Sequence, residues 1–137
     1  MTRADATPAR MQAVFAAHGF PVSNGELAKF WAHYELLGTH NPRLRLTRIT
    51  GLADTVVKHF IDSAVVADMM ELQGPVLDIG SGGGFPGIPL AIRRPALAVV
   101  LAESRAKRAA FLQTVQERLG LENIAIHPHG IRPGGPV

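Results

Sequence analysis

A glycine-rich stretch over residues 76–89 constrains the fold of this 137-residue chain more than any other feature. Its first four residues, Val76–Ile79, form a short apolar run interrupted by one acid, which is typical of a buried strand. Glycines follow at three alternate positions, and the residues after them, rich in proline and aliphatic side chains, predict the start of a helix. A strand, a glycine turn and a helix in this order are typical of an open α/β sheet. Such a sheet holds a nucleotide-like ligand at the carboxyl end of the strand.

The spacing of these glycines distinguishes between ligand classes. A dinucleotide fingerprint requires its third glycine three residues after the second, where this chain has Phe85. The observed pattern, Asp-x-Gly-x-Gly-x-Gly, is similar to the first motif of S-adenosylmethionine-dependent methyltransferases. It predicts four cofactor-binding residues: Asp78, Gly80, Gly82 and Gly84. The alternatives are a nicotinamide-dependent oxidoreductase with a degenerate fingerprint, and residues that only shape a turn.

A second acid extends this predicted site. Residues 97–102 predict a second buried strand, and Glu103 follows it, 19 positions beyond Gly84. An acid about 20 residues after such a glycine turn typically accepts hydrogen bonds from ribose hydroxyls. We therefore expect Glu103 to bind the cofactor, with an ordinary surface glutamate as the alternative.

The remaining apolar spacing predicts helices and one more strand. The expected elements are helices over 8–18, 23–37, 52–71, 86–94 and 104–119, and a strand over 123–126. Ser23 and Glu26 form a capping box at the start of the second helix. Gly38 is expected to end that helix, which leaves residues 39–50 as a loop. Ser104 is expected to cap the last helix.

These elements predict an α/β protein in three parts. An N-terminal helical segment spans residues 1–74, and an S-adenosylmethionine-binding, Rossmann-like half spans 75–126. An irregular tail rich in proline and glycine follows over 127–137. The fold class is thus the class I methyltransferase fold, incomplete, with its first three strands only. The strand at 76–79 would then present unpaired backbone at a sheet edge, which predicts self-association through that edge.

The charge of the chain favours a polyanionic partner such as RNA. Its net charge is +3 and its pI about 10.0. Arg43, Arg45 and Arg48 lie close together, with Lys58 nearby. Guanidinium groups bind phosphates bidentately and stack on bases, so these four residues are candidate RNA contacts. A solvated cluster of loop charges is the alternative.

Several site classes are not supported by the sequence. No apolar run approaches the roughly 20 residues that span a bilayer, and no signal-peptide core follows Met1, so we expect a cytoplasmic protein without membrane contact. The chain has no cysteine, and its six histidines lack metal-ligand spacing, so no metal is expected. No catalytic constellation stands out either, and the catalytic residues stay unassigned.

Four segments extend the pattern beyond the glycines, and they are Lys58–Ser63, Leu77–Leu90, Ser104–Leu112 and Leu119–Ile124. Together they resemble the RsmG (GidB) family of 16S ribosomal RNA guanine-N7 methyltransferases, over about residues 10–126. The Phe-Pro-Gly-Ile-Pro sequence at 85–89 is far more specific than the glycines.

The resemblance implies transfer of a methyl group from S-adenosylmethionine to N7 of one guanine in the 530 loop of 16S ribosomal RNA. The substrate would be that RNA or the small ribosomal subunit. By position, Gly80 and Phe85 match family cofactor contacts, and Glu103 matches the family's acid after the second strand. Ile131 falls where the family has an apolar residue beside the adenine.

The chain also departs from the family pattern. Arg132 replaces an acid, and the segment at 40–47 lacks an aromatic residue and an asparagine. The family continues for roughly half a domain beyond position 132, with a fourth strand and an arginine-bearing segment. The alternative function is therefore a truncated, catalytically inactive family member that binds RNA or a partner chain only.

Overall fold

The computed structural model describes residues 5–128 of the chain. The elements are α1 (Pro8–Ala17), α2 (Asn24–Leu44), α3 (Leu52–Thr55), a π-helical turn (Val56–Ile61), α4 (Asp62–Met69), β1 (Val76–Ile79), α5 (Gly87–Arg93), β2 (Val99–Ala102), α6 (Ala106–Leu119) and β3 (Ile124–His127). The predicted partial Rossmann-like methyltransferase fold, preceded by a helical segment, is therefore confirmed.

The three strands form a parallel sheet in the order β1-β2-β3. Val76 pairs with Val99 and Val99 with Ile124, so these side chains lie on one face of the sheet. Both β-α-β connections run in the same direction along the sheet, which places α5 and α6 on one face, and residue 87 of α5 lies against Val99 and Leu101 on that same face. On the opposite face, Leu77 and Ile79 of β1 are exposed to solvent.

Helix α2 continues past its predicted end. Gly38 does not stop it, and residues 39–44 are helical although Pro42 lies inside the helix. Proline within a helix costs about 3 kcal/mol because it removes a backbone bond. Burial of Leu44 offsets this cost, as does Arg108, whose guanidinium donates to the Leu44 and Arg45 carbonyls. The predicted loop therefore begins only at Arg45, which caps the helix.

The predicted capping box of Ser23 and Glu26 is present, with both reciprocal hydrogen bonds. The predicted cap at Ser104 is wrong, because α6 begins at Ala106 with Arg105 in the cap position. No side chain caps α6, and the Glu103 carboxylate instead accepts the N–H of Arg105, the residue that precedes the helix. The third strand lies one residue later than predicted.

One hydrophobic core joins the helical segment to the sheet. Its largest helical side chains, Phe15, Phe30 and Phe60, are fully buried and pack ring against ring at 5.0–6.4 Å between centroids. At the surface of this junction, Arg93 of α5 donates hydrogen bonds to the carboxylates of Glu26 on α2 and Asp68 on α4. Within residues 5–128, no helix combines the length and the apolar character needed to cross a membrane.

Candidate functional site

The residues between β1 and α5 form a tight turn at the carboxyl edge of the sheet. Gly80, Gly82 and Gly84 have φ angles of +72°, +54° and +99°, where a residue with a Cβ would be strained. The Gly80 N–H donates to the Ala102 carbonyl at 2.7 Å, so the turn starts beside the end of β2. The structure thus brings the three predicted glycines together in one loop.

The three glycines differ in their surroundings. A Cβ at Gly80 would meet no atom within 4 Å, and one at Gly82 would meet only Arg108 Nη1 and the Gly80 carbonyl, both at 3.9 Å. A Cβ at Gly84 would lie 2.6 Å from Ile88 Cγ1, so packing alone requires this glycine. Gly80 and Gly82 therefore leave bare backbone beside open space, as close approach of a ligand requires.

Asp78 is buried beneath this turn. Its Oδ2 accepts the Gly87 N–H at 3.0 Å, and the Ser81 hydroxyl donates to its carbonyl at 3.1 Å. Burial raises the pKa of Asp78, and the hydrogen bond from Gly87 partly counteracts this. A Cβ at Gly87 would collide with Leu101 Cδ2 and crowd the Asp78 carboxylate, so α5 reaches the sheet only because residue 87 is glycine. In its observed contacts, Asp78 shapes the turn.

Glu103 is 5% exposed and holds the other side of the turn. Its Oε1 accepts the Gly82 N–H at 3.1 Å, and its Oε2 accepts the Arg105 N–H at 3.0 Å. A carboxylate has about four lone-pair sites, so two backbone donors leave capacity for hydroxyl donors. This environment differs from that of an ordinary surface glutamate, while contact with a ribose stays a prediction.

Phe85 packs against the helical segment. Its ring stacks on the His59 imidazole with centroids 4.1 Å apart and planes inclined by 7°, and it lies 5.1 Å from the His33 ring. The π-helical turn carries His59, and such turns are frequent at functional sites. The structure therefore places Phe85, a predicted cofactor contact, between the turn and the helices that support it.

His33 of α2 was not among the predicted site residues. It is fully buried, and its Nε2 lies 2.8 Å from the Gly83 carbonyl, which can only accept, so Nε2 carries the proton. Burial lowers the pKa of His33 to about 4, hence the ring is neutral and Nδ1 is unprotonated. His33 follows the buried Phe30 by three positions and precedes the buried Leu37 by four. A polar residue on this buried stripe is the sequence signal that could have identified it.

A short chain of hydrogen bonds extends from His59 to the end of α2. His59 Nε2 and Thr47 Oγ1 are 2.7 Å apart. The Asn41 side chain in turn donates to the Thr47 carbonyl at 2.8 Å and accepts the Thr47 N–H at 2.9 Å. Burial lowers the pKa of His59. Thr47, in the segment after α2, is therefore hydrogen-bonded to the His59 ring on which Phe85 stacks.

The four predicted RNA contacts lie on the surface. Arg43, Arg45 and Arg48 are exposed around the end of α2, and Lys58 lies 3.9 Å from Asp54 in an exposed ion pair. Arg45 adopts a left-handed conformation with φ +51°, and its carbonyl accepts from Arg108 at 3.1 Å. Because Arg108 also approaches Gly82, the basic surface reaches the edge of the glycine turn.

Ile131, the remaining predicted cofactor contact, lies outside the described residues. Over residues 5–128, no group of three or more metal-ligating side chains comes together.

Comparison with known proteins links this geometry to one family. The family described as rRNA small subunit methyltransferase G (GidB) matches residues 26–131. A ribosomal RNA small subunit methyltransferase G 2 from Syntrophobacter fumaroxidans is 42% identical over 87% of this chain and 24% of its own length. The protein of the same name from Bdellovibrio bacteriovorus is 39% identical over 85% of this chain and 46% of its own length.

The methyltransferase G from Carboxydothermus hydrogenoformans is 38% identical over 86% of this chain and 51% of its own length. The chain thus spans about half, or less, of the length of these curated relatives.

Proposed function

Because the chain belongs to the rRNA small subunit methyltransferase G family, we propose that its turn at residues 80–84 binds S-adenosylmethionine for methyl transfer to ribosomal RNA. The specific acceptor that we propose from the family resemblance is N7 of a guanine in the 530 loop of 16S ribosomal RNA. A ribosomal substrate implies a cytoplasmic location. Since the chain covers only part of its relatives, the activity is proposed for the whole protein and cofactor binding for the described part.

One observation carries this proposal, namely the open backbone at Gly80 and Gly82 with the Glu103 carboxylate directly beside it. A Cβ at either glycine would project into space that a ligand can use. Glu103 already orients the Gly82 N–H and retains free lone pairs for ribose hydroxyls. Asp78 and Phe85 then support the turn from the side of the sheet and the helical segment.

The proposed chemistry needs little from the side chains of the protein. S-adenosylmethionine supplies a methyl group on a positively charged sulfur, and guanine N7 has a free lone pair, so no proton must be removed. The chain must mainly hold donor and acceptor in line. The Gly83 carbonyl, fixed by His33, keeps the turn in place for this purpose. Arg43, Arg45, Arg48 and Lys58 are proposed to bind phosphates of the RNA, and Ile131 to lie beside the adenine.

A second candidate function is binding of cofactor and RNA without turnover. In the described part of the chain, β1 has one neighbouring strand and Leu77 and Ile79 are exposed, as expected where further elements are needed to complete the fold. Incorporation of a radiolabelled methyl group into small-subunit RNA separates the two functions. The family name gives no support to the nicotinamide-dependent alternative.

Two matched glycine substitutions test the cofactor site. Gly80 and Gly120 have φ of +72° and +64°, and a Cβ at either would meet no atom within 4 Å. Alanine therefore imposes the same left-handed strain at both positions, about 1–2 kcal/mol. Calorimetric titration with S-adenosylmethionine should show saturable binding by the parent, at least tenfold weaker binding by Gly80→Ala, and unchanged affinity for Gly120→Ala. Equal affinity of all three proteins, or a folded parent that does not bind, would disprove the assignment.

A further inference from the structure

A cavity lies along α2, and no residue of the glycine turn lines it. It has a volume of about 490 Å³ and is lined by residues 31–42 of α2, by the segment over residues 47–55 and by Ala6. This size falls within the range of about 300–1,000 Å³ that is typical of small-molecule sites. Leu37 separates the two sites, because it lines the cavity and its Cδ2 would lie 3.2 Å from a Cβ at Gly83.

Two aromatic side chains form part of the wall of this cavity. Trp31 and Tyr34 both line it, with ring centroids 5.4 Å apart and planes inclined by 37°. Both side chains are only half-buried, although they fall on the apolar side of an amphipathic helix. Half-buried aromatic faces beside a cavity suit a flat, unsaturated ligand such as a nucleobase.

One carboxylate borders the same cavity. Glu35 also lines the cavity, is exposed, and forms no side-chain hydrogen bond or ion pair with another described residue. A carboxylate accepts N–H groups, which the exocyclic amino and ring imino groups of bases supply. The polar edge of a stacked base would therefore find an acceptor here.

Positive charge flanks the same opening. Pro42, Thr47 and Ile49 line the cavity, and their chain neighbours Arg43 and Arg48 are exposed. Neither arginine forms an ion pair with a residue in the range 5–128. An aromatic platform with unpaired guanidinium groups beside it is the combination that binds single-stranded nucleic acid.

We propose that this cavity, the Trp31–Tyr34 pocket, binds one unpaired nucleobase of a single-stranded RNA segment, with the flanking phosphates at Arg43 and Arg48. The proposal rests on the proposed function, because it assumes that the substrate is RNA. It adds an anchoring site that is separate from the cofactor turn, so the anchored base is a different base from the one that is methylated. The shared wall of α2 and the Asn41–Thr47–His59 hydrogen bonds connect the two sites.

Trp31 is the only tryptophan of the chain, so its fluorescence reports on the pocket alone. We would titrate the protein with a single-stranded RNA of about ten nucleotides, and with the duplex of the same sequence, while following tryptophan emission. Stacking of a base predicts saturable quenching by the single strand and little quenching by the duplex. Binding of a labelled copy of each RNA would be measured by anisotropy on the same samples.

Three variants give the test its controls. Tyr34→Leu should raise the Kd for the single strand about tenfold, the range found when one stacking platform is removed. Arg48→Gln, at an exposed position that does not support the fold, should weaken binding and flatten its salt dependence. Arg118→Gln, at an exposed position in the last turn of α6, should leave both unchanged.

The outcomes separate this inference from the proposed function. RNA binding without quenching, equal quenching by the duplex, absence of RNA binding, or parental affinity of both Tyr34→Leu and Arg48→Gln would each overturn the pocket assignment. S-adenosylmethionine binding, measured by calorimetry on the same protein, decides the cofactor site independently. A chain that binds the cofactor but fails these RNA tests would therefore refute the pocket alone.

Discussion

At the scale of single residues, the glycine turn is held by buried polar groups, two of which lie far away in the sequence. His33 donates to the Gly83 carbonyl across fifty positions, and Asp78 and Glu103 accept N–H groups from Gly87 and Gly82. A neutral histidine suits this position, because a proton on Nδ1 would be buried without an acceptor among the described residues. The turn is therefore preorganised by buried polar contacts that a change of protonation would disturb.

This arrangement predicts an acid-sensitive stability. Native His33 has a pKa of about 4 and unfolded histidine about 6.5, so the unfolded chain binds more protons between these values. The contribution of neutral His33 to the free energy of unfolding is therefore complete above pH 6.5. As the pH falls toward 4, this free energy decreases by about 3 kcal/mol. Urea unfolding of the parent and of His33→Phe at pH 7 and pH 4 measures this. The variant should lose about 3 kcal/mol less than the parent, and parallel losses would contradict the prediction.

At the scale of elements, the end of α2 joins the helical segment to the cofactor half. The helix passes Pro42 and stops at Arg45, whose carbonyl is held by Arg108 of α6. Arg45 has φ +51°, a conformation in which the Cβ of an L-residue costs about 1–2 kcal/mol and for which glycine is preferred. A strained arginine at the rim of the basic surface fits a role in binding, since strain is retained where function requires the side chain.

Arg45→Gly should therefore stabilise the protein and weaken its binding to RNA. We expect an increase of about 0.5–1 kcal/mol in the free energy of unfolding. Glycine relieves the backbone strain of the folded state, and the greater flexibility of glycine in the unfolded chain offsets part of this gain. Arg43→Gly, two residues earlier and still helical, should instead lower that free energy by about 1 kcal/mol. Denaturant titrations of both variants measure the change in the free energy of unfolding and its sign. A lower value for Arg45→Gly than for the parent would contradict the inference that Arg45 is strained.

At the scale of the whole molecule, one face of the sheet is covered and the other is exposed at β1. The side chains of Leu77 and Ile79 on β1 are 45% and 61% exposed, and those of Met69 and Met70 at the end of α4 are 77% and 58% exposed. Parallel sheets normally have both faces covered, and a strand with one free edge offers unpaired backbone groups. The described part of the molecule therefore presents an apolar surface that favours contact with another chain.

We expect the 137-residue chain to self-associate through β1 as its concentration rises. Replacing Leu77 and Ile79 together by lysine should shift sedimentation-equilibrium masses toward the monomer, because charge at an edge strand opposes pairing. Ala17→Lys, an exposed position at the end of α1, serves as the control and should behave as the parent. Equal masses for the parent and the double variant at every concentration would argue against association by this surface.

Local patterns in the sequence determined much of this protein. The three parallel strands, the glycine turn, the capping box at Ser23 and the family were all predicted, because each depends on residues that are close together in the chain. The predictions failed at Gly38, where a helix continues past a glycine, and at Ser104, where the helix begins two residues later and has no side-chain cap. At the end of α2, contacts from Arg108 of α6 outweigh the local signal of Gly38.

Only the tertiary structure decided how the site is assembled. It distinguished Gly80 and Gly82, which border open space, from Gly84, which packs against Ile88. It also turned Phe85 toward His59 and brought His33 to the Gly83 carbonyl. The physical reason is that each of these facts depends on which atoms from distant segments fill the neighbouring space, and the spacing of residues along a chain does not specify this.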